Sequence, residues 1–194
     1  VPGDFGQRQR GARGRDCRHN GLRGNHSDAG ELREINHHAK STFDRFAGNR
    51  PSPGPVLAVI EVLSVNVGRA QRVPIDGQSV LTAIGKQALA GPVAVHPLGL
   101  QGDEKADLAE HGGLTKAAYA YPQEHYAFWR VVRAQARVAA WDAPLPPGSV
   151  GENLSLRGLL EGDLWIGDLL RLPNCTLAVS EPRQPCFKFN HAMG

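Results

Sequence analysis

From Pro122 to Ala140 no glycine or proline interrupts the chain, and this is the one segment whose pattern supports a helix. Proline is tolerated in a first helical turn, and Glu124 suits the positive end of the helix dipole. Tyr126, Trp129, Val132 and Ala136 share one broad face, and Trp129 and the other helix aromatics read as core, while Arg130, Arg133 and Arg137 mark another face that should be solvated. Elsewhere all 23 glycines and 13 of the 14 prolines cut the chain into short pieces. Long helices are excluded there.

Those pieces read as strands. Residues 56–67 carry Val56, Val59, Ile60, Val62, Val65 and Val67, a β-branched run expected to be buried. Residues 68–77 follow as a loop ending in the Asp76-Gly77 turn pair, and 80–84, 93–95 and 116–121 are further strand candidates. After the proline-rich stretch 144–148 come 151–156, 164–172 and 175–180. The expected class is mainly β with one or two helices (α+β), a compact β-barrel or folded sheet around one embedded helix. Nothing repeats at a fixed period, which argues against a solenoid.

The three cysteines, Cys17, Cys175 and Cys186, are odd in number and lack paired metal-ligand spacing, so neither a disulfide framework nor a structural zinc site is indicated. No apolar run approaches the ~18 residues of a membrane helix and no signal pattern opens the chain, so a cytoplasmic setting without a membrane partner is expected. The net charge of +3 is unevenly spread: residues 1–50 balance at +4 and residues 51–194 at −1. Residues 1–54 are rich in Gly, Arg, Asn and His and poor in large apolar side chains. Such a segment does not offset its ordering entropy, and it reads as a disordered or non-native basic arm. Arg8, Arg10, Arg13, Arg15 and Arg18 have no aromatic platform beside them, so a nucleic-acid partner is not expected. His26 and the His37-His38 pair could meet a metal only adventitiously. The segment from Pro51 to Pro55 reads as a lead-in, and the patterned domain spans 55–194.

Cys186 lies in Ser180-Glu181-Pro182-Arg183-Gln184-Pro185-Cys186-Phe187-Lys188. Pro182 and Pro185 fix their own φ and push the preceding residues away from helix, so this loop should be extended and stiff. Cations such as Arg183 and Lys188 beside a cysteine suit a thiolate that ligates a soft metal, attacks as a nucleophile or carries sulfur. The plain alternative is a small buried side chain. Three further clusters stand out. Gly99-Leu100-Gln101-Gly102-Asp103 is followed by Glu110-His111-Gly112-Gly113 and Lys116; then come Gly151-Glu152-Asn153-Leu154 and Ile166-Gly167-Asp168. Glycine lets backbone N–H groups such as those of Gly112 and Gly113 approach a ligand, and His111 and Lys116 could hold an anion.

Taken in order, Gly-Leu-Gln-Gly-Asp, His-Gly-Gly, Tyr-Pro-x-Glu-His-Tyr (121–126), Gly-Glu-Asn-Leu, Ile-Gly-Asp and Pro-Arg-x-Pro-Cys-x-Lys resemble the MOSC domain family, in its YiiM-like bacterial branch, over about residues 56–191. The resemblance implies a MOSC-type β-barrel that binds the molybdenum cofactor, Mo-molybdopterin, with Cys186 as the thiolate ligand of the metal. It implies a molybdenum-dependent oxidoreductase reducing N-hydroxylated compounds such as N-hydroxylated purines, supplied with electrons by a flavin or iron–sulfur partner. Around the cofactor it puts His111, Gly112, Gly113, Lys116, Asn153 and Arg183, with His111 also a proton donor to the departing oxygen. The chain opens with Val and stops eight residues beyond Cys186, where the family continues, so the barrel is expected to be truncated and this piece could be inactive. Two rival roles keep the fold: a persulfide carrier on Cys186, or a silent cofactor-binding module.

Overall fold

Strand β3 (Ile60–Val67) organises the molecule, whose computed structural model describes residues 33–44 and 60–194. Its burial nearly alternates, as the period of a strand requires, and Ile60, Val62 and Val65 are wholly enclosed. Antiparallel partners flank it: β2 (Lys40–Asp44) on one side and β10 (Leu154–Arg157) on the other, with β6 (Gln87–Ala88) pairing its far end. The sheet extends through β11 (Leu169–Arg171) to β12 (Thr176–Ala178) beyond β2, and through β9 (Ala120–Pro122), parallel to β10, at the opposite edge. A second small sheet holds β1 (Glu34–Ile35), β7 (Val93–His96) and β8 (Gly99–Leu100). The mainly β, α+β class is as expected. The sheets of the described residues do not close into a barrel.

The Asp76-Gly77 pair turns a hairpin between β4 (Gln71–Ile75) and β5 (Gln78–Thr82), in what sequence suggested was a loop. Both turn residues have positive φ, 49° and 76°, the geometry that matches the twist of a two-residue hairpin. Three helices are described: α1 (Leu108–His111), α2 (Tyr126–Gln135) and α3 (Phe187–Met193). The expected helix starts later and stops earlier than its Gly/Pro-free sequence allows. A 3-10 turn at Gln123–His125 precedes it, and Arg137 at φ 60° ends its continuation. The candidate strand 116–121 is shortened likewise, because Leu114–Lys116 forms a 3-10 turn. Of the arginine stripe, Arg130 and Arg137 are exposed as expected, but Arg133 is half-buried and its Nε has no partner among the described residues.

Residues 33–44, expected to belong to a disordered arm, form two strands instead. β1 pairs with β7, and β2 sits between β3 and β11. One apolar side chain explains much of this: Ile35 is 1% exposed and joins Ile60, Val62, Val93 and Leu154 in the main core. Burying such a side chain contributes roughly 1.5–3 kcal/mol, which a composition count over fifty residues dilutes away. The remainder of the expected arm, the lead-in 51–55 and the start of the run at Val56 lie outside the described residues. A second core joins α2 to the chain around it: Tyr126, Leu145, Val150 and Met193, with Trp129 and Phe189 packed against them. Trp129 is core, as its helical spacing suggested.

Candidate functional site

Residues 179–186 carry no regular structure, and Cys186 (φ −126°, ψ 170°) ends the run as the extended residue that caps α3. The two prolines thus do what their restricted φ predicts. Three contacts fasten this loop to one neighbouring segment. Ser180 Oγ donates to the Thr115 carbonyl at 2.5 Å, Glu181 lies 4.0 Å from Lys116 Nζ, and the Arg183 guanidinium stands 5.3 Å from the centre of the Tyr119 ring. The thiol of Cys186 is held half-buried on a stiff arm rather than packed in a core.

Cys186 shares a cleft with His111, Lys116, Asn153 and Arg183. Lys86, Lys105, Tyr119 and Lys188 line it too, beside Thr82, Asp103 and Glu104. Five cationic side chains thus face two carboxylates. One of those pairs is internal: Lys86 Nζ donates to Asp103 Oδ1, both side chains nearly enclosed at 8% and 1% exposure. Burial holds the Lys86 ammonium below its ordinary pKa despite that partner. Asp103 Oδ1 also accepts from the Gly68 amide at 2.9 Å, so the Gly-Leu-Gln-Gly-Asp cluster ties the cleft wall to the end of β3. Glu104 is engaged as well, accepting from the Ala70 amide at 2.8 Å. The remaining cations lean mainly on carbonyls: Lys105 on Leu98 and Lys116 on Glu110, at 2.7 and 2.6 Å. A surplus of positive charge is left for an anionic ligand.

His111 ends α1, and its imidazole is held below its ordinary pKa by burial first, then by the Arg183 and Lys188 charges. It is therefore neutral at neutral pH until an anion offsets those cations. Gly112 and Gly113 turn the chain from His111 to Lys116 and do not line the cleft; the Gly112 amide is already spent on the Leu108 carbonyl at 3.1 Å. Asn153 does border the cleft, but its amide is used inside the fold. Oδ1 accepts from the Tyr119 amide at 3.0 Å and Nδ2 donates to the Asn66 carbonyl at 3.2 Å. Its role is positional. Glu152 beside it is wholly buried, accepting from the Gly148 and Val150 amides at 2.6 and 3.2 Å and from Ser155 Oγ at 2.7 Å.

The structure thus brings Cys186, His111, Lys116 and Arg183, singled out in the sequence, into one cleft; Asn153 borders it with its amide engaged in the fold, and Gly112 and Gly113 do not line it. Lys188 could be read as a neighbour of Cys186. Lys86 and Lys105 had no motif around them, and Tyr119 carried only a strand pattern. The third cluster, Ile166-Gly167-Asp168, is a turn: the Asp168 carboxylate accepts from the Trp165 amide at 2.8 Å, away from the cleft lining. Cys175 packs half-buried against the main core, which raises its thiol pKa.

Comparison with known proteins decides the family, because the profile of the MOSC domain matches residues 107–194. The chain is a MOSC-domain protein. Its MOSC relatives put it in the YiiM-like branch: Protein YiiM of Escherichia coli K12 is 38% identical over 130 residues, covering 66% of this chain and 54% of that protein. The uncharacterized protein YflK of Bacillus subtilis 168 is 39% identical over 133 residues, covering 69% and 57% respectively. A protein of Gibberella moniliformis named reductase is 36% identical over 145 residues, covering 72% of this chain and 23% of that protein. The chain thus spans little more than half the length of the two bacterial relatives. Among solved structures, the crystal structure of YiiM from Geobacillus stearothermophilus superposes with a TM-score of 0.47 at 32% identity, over 69% of this chain and 56% of that one. Among the described residues no helix is long and apolar enough to cross a membrane.

Proposed function

We propose that the cleft holds the molybdenum cofactor and that the MOSC protein to which this chain corresponds reduces N-hydroxylated compounds, with electrons from a flavin or iron–sulfur partner. The observation that carries this reading is the convergence of Cys186 with His111, Lys116, Arg183 and Lys188 on one cation-rich cleft. Among the described residues no group of three His, Cys, Asp or Glu side chains is arranged to hold a metal by itself. A single thiolate suits a metal whose other ligands come from a dithiolene, and the surplus cations suit a phosphorylated pterin. The donor set fits the group.

When bound, the cofactor supplies a centre that accepts an oxygen atom in a two-electron step. The rest falls to this chain. Cys186 presents its sulfur as the protein ligand, and Arg183, Lys116 and Lys188 neutralise the anionic group. His111, neutral in the open cleft, gains proton affinity as that negative charge arrives. It can then hand a proton to the oxygen that leaves as water. The overall change, N-hydroxylamine plus two electrons and two protons to amine plus water, is balanced by the electron partner and solvent. A relative bearing the name reductase supports this class of chemistry.

The test compares the protein with Cys186→Ser and Cys175→Ser variants, made in cells that synthesise the cofactor. Molybdenum and pterin content, and reduction of an N-hydroxylated purine with a chemical electron donor, should survive the Cys175 change and be lost with the Cys186 change. A metal-free protein that releases sulfur from Cys186 on cyanolysis would mark it as a persulfide carrier instead.

A further inference from the structure

The cations of the cleft answer to an anionic ligand, yet the cleft also offers a neutral phenolic hydroxyl that, among the described residues, nothing in the fold engages. Tyr119 lies just before β9 and is fixed through its backbone. Its amide donates to Asn153 Oδ1 at 3.0 Å, and its carbonyl accepts from the Asn153 and Leu154 amides at 2.7 and 3.0 Å. Its ring packs under Arg183 and stands 6.0 Å from that of Tyr121. The ring is thus held by one neighbour on the cysteine loop and one on the strand. Among the described residues its hydroxyl has no hydrogen-bond partner. It is not enclosed either: the enclosed side-chain polar atoms without a partner there are His37 Nε2 and Arg133 Nε. Tyr119 lines the cleft, and its hydroxyl is both unengaged and unenclosed.

We propose that Tyr119 contacts the substrate, its hydroxyl donating a hydrogen bond to the oxygen atom that the N-hydroxylated compound loses; this rests on the reductive reading above. His111 is assigned to deliver the proton, and Thr82 Oγ1 accepts from the Ile84 amide; most of the remaining donors are charged or committed. Lys86 is paired with Asp103, Lys105 and Lys116 rest on carbonyls, and the Asn153 amide is used up. A neutral N–OH group is better met by a neutral hydroxyl, which both donates and accepts, than by an ammonium placed for an anion. Burial raises the Tyr119 pKa, so the hydroxyl keeps its proton throughout the physiological range. The amine product lacks the oxygen and leaves the donor without this partner. Tyr119 therefore separates substrate from product, since a site built to hydrogen-bond a hydroxyl discriminates against the analogue that lacks it.

Tyr119→Phe deletes the hydroxyl while keeping the ring beneath Arg183 and every backbone bond, and its melting temperature should match that of the parent protein. Binding of N-hydroxylated adenine and of adenine to the cofactor-loaded protein is measured by calorimetry alongside turnover. The parent should prefer the N-hydroxylated compound by about three- to tenfold, the range of one neutral hydrogen bond. Tyr119→Phe should bind the two equally, with adenine affinity unchanged and kcat/KM reduced by at least the same factor. An unchanged preference in Tyr119→Phe, or no preference in the parent, overturns the assignment. Failure of the reductive reading shows separately, as a parent protein that loads molybdenum and does not turn over.

Discussion

The phenolic hydroxyl of Tyr126 donates to the carboxylate of Glu152, joining the first turn of α2 to the loop that borders the cleft. Glu152 gathers four donors in all and is 0% exposed, so the loop 148–153 is held from inside by a carboxylate that cannot reach water. Glu152→Ala strands two buried amides, and at about 1–3 kcal/mol for each unsatisfied group the loss should be about 2–6 kcal/mol. Tyr126→Phe leaves the amides paired and should lose only about 1–2 kcal/mol. Urea denaturation of both variants tests this order, and a larger loss for Tyr126→Phe would refute it.

Among the described residues Asp103 is the one ion-pair partner of the enclosed Lys86 ammonium, and removing it leaves a buried cation alone. Asp103→Ala should lose about 3–5 kcal/mol. Replacing both groups, Lys86→Met with Asp103→Leu, should recover much of that loss. Chemical denaturation of the single and double variants reads the difference; equal losses would mean that the pair is not a unit.

His111 should titrate below the ordinary value near 6.5. Arg183→Ala should move its midpoint up, because one of the charges opposing protonation is gone. The sign for stability follows from the depressed folded-state value. The contribution of the neutral ring is fully present above the unfolded pKa and is lost as pH falls from there through the folded pKa. NMR titration of the imidazole in the parent and in Arg183→Ala checks both statements, and a midpoint unmoved by the substitution would count against Arg183 as a cause.

Removing residues 1–54 should destabilise the protein, since β1 and β2 leave with them. Ile35→Ala isolates part of that effect and should lose about 2–5 kcal/mol, the range for emptying a fully buried large aliphatic site. Removing residues 1–32 alone leaves both strands in place. Circular dichroism melts of the three proteins separate the outcomes, and a trimmed protein starting at Pro55 with unchanged melting would show that β2 is dispensable.

Features fixed by local chemistry were readable from the chain. The Asp76-Gly77 hairpin turn needs two residues that accept positive φ, the loop before Cys186 needs its prolines, and β3 needs its β-branched alternation. Cys186, His111, Lys116 and Arg183 were legible because each sits in a short motif. What escaped depends on distance. Lys86 acquires meaning only when Asp103 folds onto it. Asn153 looked like a ligand contact because nothing local reveals that Tyr119 and Asn66 use both ends of its amide. The end of α2 at Gln135 was hidden for a similar reason, since Arg137 tolerates its left-handed conformation only in the packed chain.

The pairing of β3 with β10 has a kinetic consequence. Asn66 and Ser155, hydrogen-bonded across it, are 89 positions apart, so a long stretch of chain must come together before the ladder forms. Contacts of that separation slow folding because closure entropy is lost before the contact repays it. Asn153 of the cleft lining adjoins β10 and Asp103 is tied to Gly68 just after β3, so the finished cleft belongs to the folded protein and a ligand selects that state. It then acts on the native population by mass action, adding about 2.7 kcal/mol when present at a hundred times its Kd. In a cell short of that ligand, the newly made chain should turn over faster than in one well supplied.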